Sequence, residues 1–233
     1  MATQTPENMK HPYYPLDLEL PHYVPNENDI FLVPITFFGL VVGLALVVWV
    51  YSGKQTWRFS LGDRVKVCWF TMCAVIHTVL EGYFSIYHAT IAGRQSYLAQ
   101  IWKEYGKGDS RYMSSDNFTV CMESITAVID GPLCFLTIIA FFRRSSYRYP
   151  LQLIVSICQL YGCILYFMTE VRDDFSHSEK WSLQYFWFYF VFMNMLWIVI
   201  PLYLVFQAVA EISKVQEAND KHSSNAQGYK KHC

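Results

Sequence analysis

The chain has 233 residues, of which 53% are hydrophobic and 18% aromatic, against only 16% charged, with a formal net charge of −1. This balance excludes an ordinary soluble domain and leaves no electrostatic basis for binding nucleic acid. Neither a P-loop nor a GxGxxG run occurs, so nucleotide chemistry has no cradle here.

Residues 1–29 are polar and carry several prolines. They lack the basic, apolar and small-residue order of a cleavable signal, and read as an irregular surface segment. The run 30–51 that follows has no charge over its 22 residues, enough at about 1.5 Å per residue to cross a hydrocarbon core about 30 Å thick. Gly39 and Gly43 make a GxxxG pair in it, which lets another backbone approach, either within the chain or in a homodimer. Four more apolar runs follow at 67–89, 119–142, 151–168 and 185–209. The predicted architecture is an all-α membrane protein: five transmembrane helices over 30–213, then a tail at 214–233. Five spans leave little mass outside the bilayer, so any chemistry must take place within the bundle.

Basic residues in short loops set orientation. The 52–66 loop carries Lys54, Arg58, Arg64 and Lys66 against Asp63, and the next turn on that side holds Arg143, Arg144 and Arg148 without an acid. Both are predicted cytosolic, which puts the tail there too, although Arg94, Lys103, Lys107 and Arg111 in the 90–118 loop weaken the asymmetry. The tail ends Lys230-Lys231-His232-Cys233, a dilysine pattern that reads as a retrieval address for the endoplasmic reticulum. Asn117-Phe118-Thr119 is a glycosylation sequon at the mouth of the third span, where a bulky transferase has little access, and it is expected to be unmodified. The cysteines at 68, 73, 121, 134, 158, 163 and 233 show no CxxC spacing; they read as small packing residues, with no disulfide framework and no metal site.

The spans are not uniformly apolar. His77 and Glu81 lie at i and i+4 in the second. Glu123, Thr126 and Asp130 lie at i, i+3 and i+7 in the third, and Asn194, Trp197 and Pro201 share that spacing in the fifth. An ionised side chain at mid-bilayer costs roughly 3 kcal/mol, so such residues are retained where they pair or line a cavity. Counting about 1.5 Å per residue places Glu81 and Glu123 roughly 8 and 6 Å below one face of the core, and His77 and Asn194 both roughly 14 Å below it. Two acids, an imidazole and an amide at shared depth favour a functional site over an ion pair that merely satisfies itself. Asp130 either joins that cavity or caps a kink at Gly131-Pro132. A coupled carboxyl–imidazole group can give and take a proton near neutrality. Without an activated nucleophile or a metal-ligand set, the remaining chemistry is proton transfer, free of any cofactor, on an apolar substrate that arrives from the bilayer.

The blocks HTVLEGYF from His77, IWKEYGKGDSRY from Ile101, DNFTVCMESITA from Asp116, YFMTEVRDDF from Tyr166 and YFWFYFVFMNMLW from Tyr185 resemble the emopamil-binding protein family, the sterol Δ8-Δ7 isomerases of the endoplasmic reticulum. The resemblance runs from His11 to about Lys214. It implies a five-helix fold of the kind shared with the sigma-2 receptor family, enclosing an intramembrane sterol pocket. It further implies a zymosterol-like substrate whose C8=C9 double bond moves to C7=C8, and cationic amphiphilic drugs as ligands. Carried over by position, the family's catalytic residues fall on His77, Glu81, Glu123, Asn194 and Trp197, with Thr126 at the substrate. On this reading the His77/Glu81 pair and Glu123 exchange protons with the sterol, Trp197 faces the cation, and Asn194 and Thr126 orient the carboxyls. Two other classes compete: a sterol-binding or trafficking protein without turnover, and a proton-coupled transporter, which an odd span number and no inverted repeat disfavour.

Overall fold

A computed structural model describes residues 10–29, 32–55 and 59–230. Five helices are long and apolar enough to cross a membrane: α1 (Leu32–Gly53), α2 (Leu61–Gly93), α4 (Asn117–Phe142), α5 (Arg148–Arg172) and α6 (Leu183–Ser224). A short helix, α3 (Tyr97–Tyr105), lies between the second and third of them. The described residues contain no strand. The chain is thus a multi-pass membrane protein, with spans in the predicted order.

The helix ends extend beyond the apolar runs for local reasons. α2 begins at Leu61 because the Ser60 side chain accepts a hydrogen bond from the Asp63 backbone, a helix N-cap. Its first turn is then charged, and Lys66 is accommodated by an ion pair to Asp63 (2.7 Å) and by the rings of Phe141 and Tyr149 (4.8 and 5.1 Å). α6 continues beyond its apolar part to Ser224, since residues 210–224 contain helix formers and neither Gly nor Pro.

α2 and α4 cross closely, and their glycines permit it. A Cβ on Gly131 would sit 2.5 Å from Thr78 Cγ2, and one on Gly82 would just touch Ala127 Cβ at 3.8 Å. At this crossing both helices widen into single π-turns, Ile76–Glu81 in α2 and Thr126–Asp130 in α4. A third, longer π segment, Leu183–Phe192, opens α6. π-turns rotate the side chains that follow them, and are frequent at functional sites.

One end of the bundle is roofed by α3 and the loop after it. Trp102 reaches down to donate from Nε1 to the Leu80 carbonyl (2.9 Å). The N-terminal segment, read from the sequence as an irregular surface segment, is strapped onto this roof by residues 13–28. Tyr13 is buried and donates to the Lys103 carbonyl (3.0 Å), Lys103 Nζ donates to the Val24 carbonyl (2.8 Å), and the Gln100 side chain accepts from the backbone of Glu27 and Asn28 (3.2 and 3.0 Å). Beside the roof Arg111 pairs with Asp109 (2.6 Å) and Glu170 (3.3 Å), and His177 pairs with Glu170 (2.7 Å). Lys103 and Arg111, two of the four basic residues that blurred the loop asymmetry, are therefore consumed by internal bonds.

Gly39 and Gly43 meet nothing within 4 Å, so they serve no packing inside the chain. Cys73, Cys134 and Cys163 are buried, as packing residues should be, while Cys121 is exposed; all six described cysteines are free thiols. Asn117 is exposed as the first residue of α4, and Thr119 is buried with its hydroxyl on the Asp116 carbonyl (3.0 Å). Arg58 and the Lys230-Lys231-His232-Cys233 signal lie outside the described side chains.

Candidate active site

A cavity of about 660 Å³ runs between all six helices, α1 to α6, within the range of small-molecule sites. His77, Glu81, Glu123, Thr126, Asn194 and Trp197 all line it. Its remaining wall is largely Leu, Ile, Met, Phe and Trp.

The polar side chains form a connected series. With its proton on Nδ1, His77 donates to the Glu81 carboxyl (2.7 and 2.8 Å). Its Nε2 is then an acceptor, and Gln159 Nε2 donates to it (3.0 Å). The Gln159 Oε1 has no partner among the described residues, so a rotated amide would present an acceptor to a doubly protonated imidazole. The Thr126 hydroxyl donates to Glu81 Oε2 across the α2–α4 crossing, and stands 3.5 Å from Glu123 Oε2. Tyr112 closes the series by donating to Glu123 Oε1 (2.6 Å). Burial raises the Tyr112 hydroxyl well above the usual phenol range, and the nearby Glu123 adds to the shift, so Tyr112 stays a donor. Trp102 stacks on Tyr112 (4.6 Å between ring centroids, 28° between planes) and holds it there. His77 and Glu123 thus belong to one hydrogen-bonded system that joins α2, α4, α5 and the loop after α3.

Two expectations are corrected. Asn194 does not orient a carboxyl: its Nδ2 donates to the Tyr105 hydroxyl (2.7 Å) and the Phe190 carbonyl (2.7 Å). Asp130 neither lines the cavity nor caps the kink through its side chain; it is buried behind the α2–α4 crossing with Oδ1 lacking a partner among the described residues. Trp197 lines the cavity as expected, its ring 6.4 Å from that of His77.

Gln159, Tyr112 and Tyr105 were not anticipated. Gln159 had a signal, for Gln152 and Gln159 stand at i and i+7 in an otherwise apolar run. Tyr112 and Tyr105 had none, because they come from the roof rather than from a span.

Comparison with known proteins adds a family model described as EXPERA (expanded EBP superfamily), which matches residues 97–208. Over its whole length the chain is similar to the 3-beta-hydroxysteroid-Delta(8),Delta(7)-isomerase of Cavia porcellus, at 45% identity covering 98% of this chain and 100% of the relative. The isomerase of the same name from Rattus norvegicus is 46% identical over 90% of this chain and 92% of its own. An isomeliandiol synthase of Ailanthus altissima is 32% identical over 91% and 97% respectively.

Proposed function

This chain belongs to the EXPERA (expanded EBP) superfamily, and on that premise we propose that it is a sterol isomerase that moves the C8=C9 double bond of a 3β-hydroxysteroid to C7=C8. The observation that carries the proposal is the hydrogen-bonded series of His77, Glu81, Thr126 and Glu123 in the wall of an apolar cavity. Allylic isomerisation needs one proton delivered and another removed. Protonation at C9 leaves a tertiary carbocation at C8, and loss of a C7 proton gives the product. The two ends of the series, His77/Glu81 and Glu123, supply one donor and one acceptor, and Thr126 between them can return the proton after each turnover. The reaction is redox-neutral, and atoms balance without a cofactor.

Trp197 stands in the same wall as the π face available to the cation, a contact of about 2 kcal/mol when desolvated. Lipophilic amines, whose ammonium imitates the intermediate's charge, fit the same cavity for the same reason. The dilysine tail and the loop charges support residence in the endoplasmic-reticulum membrane with a cytosolic C-terminus. Gly39 and Gly43 leave α1 open to lipid or to a second copy in a homodimer. A mere sterol binder has no use for carboxyls joined in this way.

The test is turnover of a zymosterol-like Δ8 sterol by purified protein in deuterium oxide. The expected product carries C7=C8 and deuterium at C9, read by mass spectrometry and NMR. An unshifted double bond rejects the isomerase, whereas a shift without label rejects proton delivery from exchangeable side chains. An amine of the substrate's shape, added to the same assay, should inhibit more strongly than its uncharged carbon isostere.

A further inference from the structure

The isomerisation leaves some of the cavity's polar residues unused. One such group consists of Glu104 and Tyr189, with Gln184 behind them, and all three line the cavity. Glu104 is 3% exposed, yet it is poorly matched to its neighbours. Oε2 is held by Lys107 (2.6 Å), whereas Oε1 meets only the Tyr189 hydroxyl at 3.3 Å, and Gln184 meets that hydroxyl at 3.4 Å. These last distances lie beyond the usual range for such bonds, in contrast to the short ones at Glu81 and Glu123. Burial pushes the Glu104 carboxyl up, with Lys107 opposing it. An underused acceptor and a loose hydroxyl in an apolar wall are what a single polar substituent on a ligand would need.

Their position is as informative as their chemistry. Gln184 is the second residue of α6, so the group sits at headgroup level on the roofed end of the bundle. Asn194, which the residue count along the spans puts level with His77, is five residues further into its span than Tyr189, about 7.5 Å along the helix. The cavity also has a mouth on the lipid side, because its wall includes residues exposed on the bundle surface: Ile35 and Val42 of α1, and Phe188 and Phe192 of α6. A sterol in the adjoining leaflet already stands with its hydroxyl at headgroup level and its rings below. It can slide in sideways through this mouth without turning over.

Resting on the reading of the chain as a sterol isomerase, we propose that Glu104 and Tyr189 form the anchor for the substrate's 3β-hydroxyl, so that rings A and B span the distance down to His77, Glu81 and Glu123. The hydroxyl donates to Glu104 Oε1 and accepts from Tyr189. The anchor fixes the vertical register of the sterol, and therefore which carbon meets the proton donor.

The experiment compares kcat/KM for a Δ8 3β-hydroxysterol with that for its 3-deoxy analogue, in wild type, Glu104→Met and Tyr189→Phe. Wild type should favour the hydroxysterol by about 10- to 100-fold, the scale of a hydrogen bond to a charged group. In both variants the preference should fall toward parity. Because the readout is a ratio within one preparation, partial loss of folded protein cancels; if Glu104→Met does not fold, Tyr189→Phe, which removes one oxygen, decides. Equal use of the two sterols by wild type, or an unchanged preference in the variants, overturns the anchor while leaving the isomerase reading intact. Wild type that shifts the bond in neither sterol overturns both.

Discussion

Thr126 has one hydroxyl proton and three acceptors within reach: Glu81 Oε2, the Glu123 carbonyl (2.9 Å) and Glu123 Oε2 (3.5 Å). It can serve both carboxyls only in turn, receiving a proton from one while passing its own to the other. That makes protonation of Glu81 and Glu123 a joint property, and replacing either carboxyl with an amide should break it. Glu81→Gln and Glu123→Gln keep side-chain shape, and each should lower kcat by roughly 10²- to 10⁴-fold, the usual contribution of a general acid or base. Near-normal turnover by both variants at normal yield would return the pair to a structural duty. The cost of burying charge made His77, Glu81 and Glu123 legible in the sequence. Asn194 was legible as a residue of the cavity but not as to partner, because the count follows levels within spans and Tyr105 descends from the roof.

The α2–α4 crossing is where helix geometry creates the site. Side chains at i and i+4 face one way in an α-helix, and the sequence reading rested on that period. The π-turns at Ile76–Glu81 and Thr126–Asp130 shift it, bringing Thr126 onto Glu81 and turning Asp130 away from the cavity. Such turns arise where two backbones press together, so a local pattern does not contain them. Gly131 measures the closeness: its added methyl would meet Thr78 Cγ2 at 2.5 Å, and Thr78, being β-branched, has little freedom to yield. Gly131→Ala should therefore destabilise the protein by about 1–3 kcal/mol. By moving Thr126 off Glu81 it should also slow turnover about 10²-fold, the scale of an ångström's misplacement. Thr78→Ser deletes the offending Cγ2, and in the double variant thermal stability and kcat should both recover part of the loss. No recovery would show that the methyl disturbs something other than this contact.

For the molecule as a whole, hydropathy was enough to give the five spans, because a bilayer demands about 20 apolar residues per helix whatever their tertiary neighbours. The roof was not legible. α3 is nine residues long and carries Lys103 and Glu104, and only tertiary partners allow both to be buried. The same end of the molecule carries a titratable contact. His177 donates to the buried Glu170 carboxyl, which Arg111 also meets, with Asp109 beyond Arg111 and Asp173 at 3.9 Å. The hydrogen bond to Glu170 raises the His177 pKa above 6.5, in spite of partial burial. Its stabilising contribution is therefore complete below pH 6.5 and is lost as pH climbs through the raised value. In detergent, the wild-type melting temperature should fall across that range more steeply than that of His177→Gln. Parallel curves would assign the slope to other groups.

The mouth between α1 and α6 opens onto lipid tails, and this changes what concentration means for the protein. A ligand that arrives by that route is sampled at its mole fraction in the membrane, where a sterol or a greasy amine can be enriched by orders of magnitude over the surrounding water. Two compounds of equal contact energy in the cavity will then differ in apparent potency by the ratio of their partition coefficients. Adding empty lipid or detergent micelles will weaken both by dilution in two dimensions, without altering a single contact. Affinity for this protein is properly referred to the bilayer, and comparisons among ligands hold only at a fixed ratio of lipid to protein.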